Sequence, residues 1–121
     1  MCEQRRVNLG EMAASAGGET GVVWALEGSD DLNANLVRFE TGGGVGEHAN
    51  DEVDVLIVGV SGSGLVSVDA EEHPVSNGVV VFVPRGAWRS TRATSEDFAY
   101  LSVHRRRGPL RIGGRPAGAA S

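Results

Sequence analysis

The residues with the most chemistry in them lie in Gly42-Gly43-Gly44-Val45-Gly46-Glu47-His48-Ala49-Asn50-Asp51-Glu52-Val53-Asp54. Successive side chains of a strand point to opposite faces of its sheet. If this segment enters a strand, His48, Asn50, Glu52 and Asp54 share one face, and Asp51, Val53 and Val55 share the other. Four polar groups ahead of the apolar run Val55-Leu56-Ile57-Val58 make either a solvent-facing edge or a lined pocket. Two chemistries suit a pocket of this kind. One imidazole with two carboxylates, here His48, Glu52 and Asp54, can hold Mn, Fe or Zn. Without a metal, His48 can act as a general base near neutral pH, oriented by a carboxylate. The glycine run is no phosphate loop, since neither a Lys-Ser/Thr pair nor a helix pattern follows it. Ser61 and Ser63 lack the strand–turn–helix setting of a hydrolase nucleophile.

The elements that must position these residues are strands. Strand patterns fall at 21–26, 33–40, 53–60, 64–68, 78–83, 89–93 and 98–104, separated by turns rich in Gly, Pro, Ser and Asp. Only 9–16 reads as a helical turn or two, stopped by Gly17-Gly18. Val79-Val80-Val81-Phe82-Val83 and Val55-Leu56-Ile57-Val58 are apolar throughout, which suits strands covered on both faces by packed sheets. The chain of 121 residues is one domain's length, and 40% apolar with 22% charged residues is a globular composition. The expected organisation is an arm over 1–20, an all-β barrel over 21–112 and a flexible tail over 113–121.

Order and punctuation along the chain resemble the cupin family of small jelly-roll, or double-stranded β-helix, barrels. The family's first motif is Gly, five residues, His, one residue, His, three or four residues, Glu, six residues, Gly. Gly42 and His48 fit it, Asn50 stands at the second His, Asp54 at the Glu, and Gly62 follows one residue late. The second motif is Gly, five residues, Pro, one residue, Gly, two residues, His, three residues, Asn. Gly78, Pro84 and Gly86 fit, with Arg89 at the His and Ala93 at the Asn. Between the motifs, the stretch 66–75 resembles the family's hairpin. The resemblance spans about Asn33 to His104 and implies a single-domain cupin fold.

Metal-binding cupins use three His and one Glu, and three of those four positions are changed here. Arginine has donors but no lone pair, so Arg89 cannot ligate a cation. Pointing inward, it would be stabilised by bidentate bonds to Asp54 or Glu52. The favoured reading is therefore a small-molecule-binding barrel with no cofactor. Its pocket is lined by His48, Asn50, Glu52, Asp54 and Arg89, and it takes a small polar or anionic ligand. Two alternatives stay open: a metal-dependent isomerase or dioxygenase using His48, Glu52 and Asp54, and a metal-free enzyme with His48 as base.

The other charged and aromatic residues read as supporting structure. His73 sits in an acidic turn and His104 ends a strand, both expected at the surface. Arg105-Arg106-Arg107 make a basic exit from the barrel. Trp24 belongs to core or interface, and Trp88 faces outward if Arg89 faces in. The resemblance also implies a homodimer formed through an outer sheet. A net charge of -5 argues against nucleic acid or an anionic membrane as partner. With no apolar run of leader or membrane-helix length, the expected location is cytoplasmic.

Overall fold

The structure is a computed structural model that describes residues 5–106. The expected tail over 113–121 and the end of the expected barrel, 107–112, lie outside the described residues. A short helix α1 (Leu9–Ser15) precedes nine strands: β1 (Gly21–Ala25), β2 (Leu32–Phe39), β3 (Gly44–Ala49), β4 (Val55–Ser61), β5 (Gly64–Val68), β6 (Glu71–Val75), β7 (Val80–Val83), β8 (Trp88–Ala93) and β9 (Phe98–Arg105). Strand pairings are all antiparallel and make a five-stranded sheet, β1-β2-β9-β4-β7, facing a four-stranded sheet, β3-β8-β5-β6. This is the jelly-roll barrel expected from the sequence. Among the described residues no helix is long and apolar enough to cross a membrane.

Alternation along the strands decides what fills the space between the sheets. Val37, Val55, Ile57, Val66, Val75, Val81, Val83, Phe98 and Tyr100 turn inward and form one buried cluster. Along β8 burial alternates where polarity does not: Arg89, Thr91 and Ala93 are its buried residues. The stretch read as an N-terminal arm holds α1, capped by Asn8, whose Oδ1 accepts from the Glu11 amide at 3.0 Å. Ala13 of α1 is buried with Leu36 and Ala99, with Leu9, Met12 and Val60 packed around them. The helix thus covers part of the outer face of the larger sheet.

The rest of that face is open. Along β4 and β7 the outward residues Leu56, Val80 and Phe82 are 43%, 56% and 54% exposed. The apolar runs were expected to be covered on both faces. Within this chain they are covered on one, because β7 is the sheet's edge and α1 lies over Leu36 and Ala99 instead.

One buried charge serves the framework. Arg38 on β2 is 2% exposed and donates to the Glu19 carbonyl, to Glu40 and to Asp97. Burial works against its charge, but the hydrogen bonds to Asp97 and Glu40 outweigh it and hold the pKa above its ordinary value. It ties the N-terminal segment to the β8–β9 turn.

Candidate functional site

β3 pairs with β8 so that His48 stands opposite Arg89, after a register shift between Val45 and His48. The shift is a bulge, the device that re-aims a side chain at a sheet edge. Arg89 points into the barrel at 5% exposure, while its neighbour Trp88 faces out at 55%. Arg89 Nε donates to His48 Nε2 at 3.2 Å, and His48 Nδ1 lies 2.9 Å from the Gly46 carbonyl. A carbonyl only accepts, so Nδ1 carries the proton and Nε2 offers its lone pair to the guanidinium. These two bonds set the orientation of the ring.

Beside this pair lies a cavity of about 50 Å³, lined by Val45, His48, Val55, Ile57, Arg89, Ser90, Thr91, Tyr100 and Ser102. Its two ends differ. Arg89 and His48 mark one end. Towards the other, Thr91 Oγ1 and Tyr100 Oη are 3.3 Å apart, and Thr91 Oγ1 accepts from the Val45 amide at 3.2 Å. Burial pushes the Tyr100 pKa up, against smaller opposing effects of the Thr91 hydrogen bond and the Arg89 charge. The phenol therefore keeps its proton and its capacity to donate. Val45 from one sheet and Val55 and Ile57 from the other supply the apolar lining.

Of the five residues expected in the pocket, His48 and Arg89 line the cavity; Asn50, Glu52 and Asp54 do not. The strand that would have given them one parity ends at Ala49, and β4 begins only at Val55. The intervening segment is a turn. Asn50 Oδ1 accepts from the Glu52 amide at 2.8 Å, and the Asn50 carbonyl accepts from the Gly86 amide at 2.7 Å. Asp54 is exposed, and its Oδ1 accepts from the Arg85 amide at 2.8 Å. The Glu52 carbonyl accepts from Arg105 Nη2 at 3.1 Å. The residues expected on one pocket face thus knit a turn at the end of the barrel, and the expected Arg89–Asp54 pairing is corrected by Asp54's exposed place there.

The same break in the strand decides the metal question. Among the described residues no three His, Cys, Asp or Glu side chains come together as a cation site, so the alternative set His48, Glu52 and Asp54 is not assembled. The nitrogen that His48 would give a metal is already bonded to a guanidinium. A divalent cation does not fit these residues.

Thr91, Tyr100 and Ser102 were not singled out as site residues from the sequence. The signal was strand parity: Thr91 is two residues from Arg89 on β8, and Tyr100 and Ser102 follow Phe98 at alternate positions on β9. The same parity corrects His104, expected at the surface. It is 6% exposed, because β9 stays paired with β2 through Asn33↔His104 and keeps its inward row to the end.

Residues 35–104 match the family model for the cupin domain. No curated protein matches the sequence. Among solved structures, KdgF from Halomonas sp. is similar at 21% identity and a TM-score of 0.66, over 70% of this chain and 77% of that one. A cupin-2 domain containing protein from Shewanella frigidimarina is similar at 16% identity and a TM-score of 0.65, over 83% and 94% of the two chains. Salicylate 1,2-dioxygenase from Pseudoaminobacter salicylatoxidans is similar at 19% identity and a TM-score of 0.57, over 62% of this chain and 20% of that one. At such identities the likeness speaks for the fold.

Proposed function

This chain belongs to the cupin family, and from that premise we propose that its barrel binds a small polar or anionic molecule at the Arg89–His48 end of the cavity. The observation that carries the reading is a guanidinium buried inside the barrel and locked in orientation by a histidine. A guanidinium presents five N–H donors in a planar fork. Charge-assisted bonds in a low-dielectric interior are the strong ones, and a carboxylate matches the fork in shape. The runner-up, His48 as general base, is disfavoured by the same bond, which engages the Nε2 lone pair that would take a proton.

The test is a small-molecule fragment set, read by NMR from the His48 ring signals of the full chain. The reading expects fragments that shift these signals in the native protein and leave them unmoved in Arg89→Met. Arg89→Lys, which keeps the charge but loses the fork, is the second variant should Met fail to fold. Binding that is equally strong in both variants refutes the role of Arg89.

A further inference from the structure

Resting on that reading, we infer that the ligand class is a short carboxylic acid with an oxygen on C2, a 2-hydroxy or 2-oxo acid. Three features of the cavity converge on this class: its size, its polar groups at both ends and its apolar lining.

Size comes first. A cavity of about 50 Å³ has room for a handful of water-sized groups, which suits an acid of about three or four carbons. The distribution of polar groups comes second. Arg89 and Thr91 are both inward residues of β8, two positions apart, which separates them by roughly 6.6 Å along the strand. A carboxylate on the Arg89 fork therefore directs its C2 substituent towards Thr91 and Tyr100. The hydroxyl pair there contains a phenol that stays protonated and has a hydrogen to donate. A C2 oxygen accepts that hydrogen, whereas a C2 methylene would leave the hydroxyls without a ligand partner.

The third feature sets the remainder of the molecule. Val45, Val55 and Ile57 offer only methyl groups, which suit the C3 carbon of such an acid. Polar groups at two ends with methyl groups between them make a pattern that a lactate-like molecule satisfies and a plain fatty acid does not.

Calorimetric titration of the full chain with lactate (each enantiomer), pyruvate, propionate and lactamide tests this directly. The C2 oxygen predicts that lactate or pyruvate binds about five- to tenfold tighter than propionate, the usual value of one neutral hydrogen bond. Lactamide, which lacks the charge, binds at least about tenfold more weakly than lactate. Thr91→Val combined with Tyr100→Phe, which removes both hydroxyls and keeps the side-chain shapes, lowers lactate affinity to that of propionate. Equal binding of lactate and propionate, or indifference of lactate to the double change, overturns the C2-oxygen assignment. If no acid binds but a neutral polyol or amide shifts the His48 ring signals, this inference falls and the broader proposal stands. If neither kind of molecule shifts them, both fall.

Discussion

Gly64 sits where the core leaves no room for a side chain, and Gly64→Ala puts a number on it. Gly64 opens β5 and is paired on both sides, with Ala93 of β8 and Val75 of β6, so its backbone is fixed. A Cβ added there would lie 2.6 Å from Cζ and 2.7 Å from Cδ2 of Phe98, and closer still to Cε2. Carbon atoms pack at about 3.5–4.0 Å, so the ring would have to retreat by about 1 Å. It has nowhere to go. Phe98 is 0% exposed and its ring leans on that of Tyr100 at 5.4 Å. Overpacking of this kind costs about 1–3 kcal/mol, and the fixed surroundings favour the upper end. Alanine offsets about 0.5–1 kcal/mol by restricting the unfolded chain, which leaves a net loss near 2 kcal/mol. At roughly 4–8 °C per kcal/mol for a domain of this size, Tm falls by about 8–16 °C. Thermal unfolding followed by circular dichroism reads it. Phe98→Leu combined with Gly64→Ala should cost less than the sum of the two single changes, since the smaller side chain relieves the clash. A fall in Tm below about 3 °C, or strict additivity of the pair, would refute the reasoning.

Two other perturbations reach different parts of the molecule. Tyr100 is the sole tyrosine of the chain, so the near-ultraviolet phenolate signal reports it alone. Its folded pKa is raised above the ordinary 10.0, so its contribution to stability is fully present below that pH and is lost as pH rises through the folded value. Phenolate absorbance should therefore appear at higher pH in the folded chain than in the urea-unfolded chain; coincident titrations would contradict the buried hydroxyl pair. Phe82→Glu tests the homodimer expected from the sequence, which would cover the exposed row of Leu56, Val80 and Phe82. Sedimentation should give a dimer for the native chain and a monomer of unchanged Tm for the variant, and a native monomer would dismiss the idea.

The sequence carried the fold in its glycines, prolines and apolar runs, because those residue types fix turns and core strands locally. Two strands it hid. β6 reads Glu71-Glu72-His73-Pro74-Val75, a turn by composition, yet it pairs with β5 at the sheet edge, where charge and proline are tolerated because one side has no partner strand. β3 was obscured by its glycines. Gly44 is needed there because a Cβ would collide with the Thr91 backbone across the pair. The site was half legible. Arg89 and His48 could be found from motif position, but Asn50, Glu52 and Asp54 were placed by extending one parity through a segment that turns. Parity survives only where hydrogen bonds keep a strand extended. The Asn50 side chain, bonding the amide two residues on, is what ends it.

The turn that displaced those residues has its own consequence. Asp54 and Asn50 receive the amides of Arg85 and Gly86, and Arg105 reaches the Glu52 carbonyl, so three chain crossings at this end of the barrel are latched together. Amides in surface connections ordinarily exchange with solvent freely, but those of Arg85 and Gly86 should exchange as slowly as strand amides. Insertions here would sever the latch, which makes this end of the barrel a poor place for grafted loops.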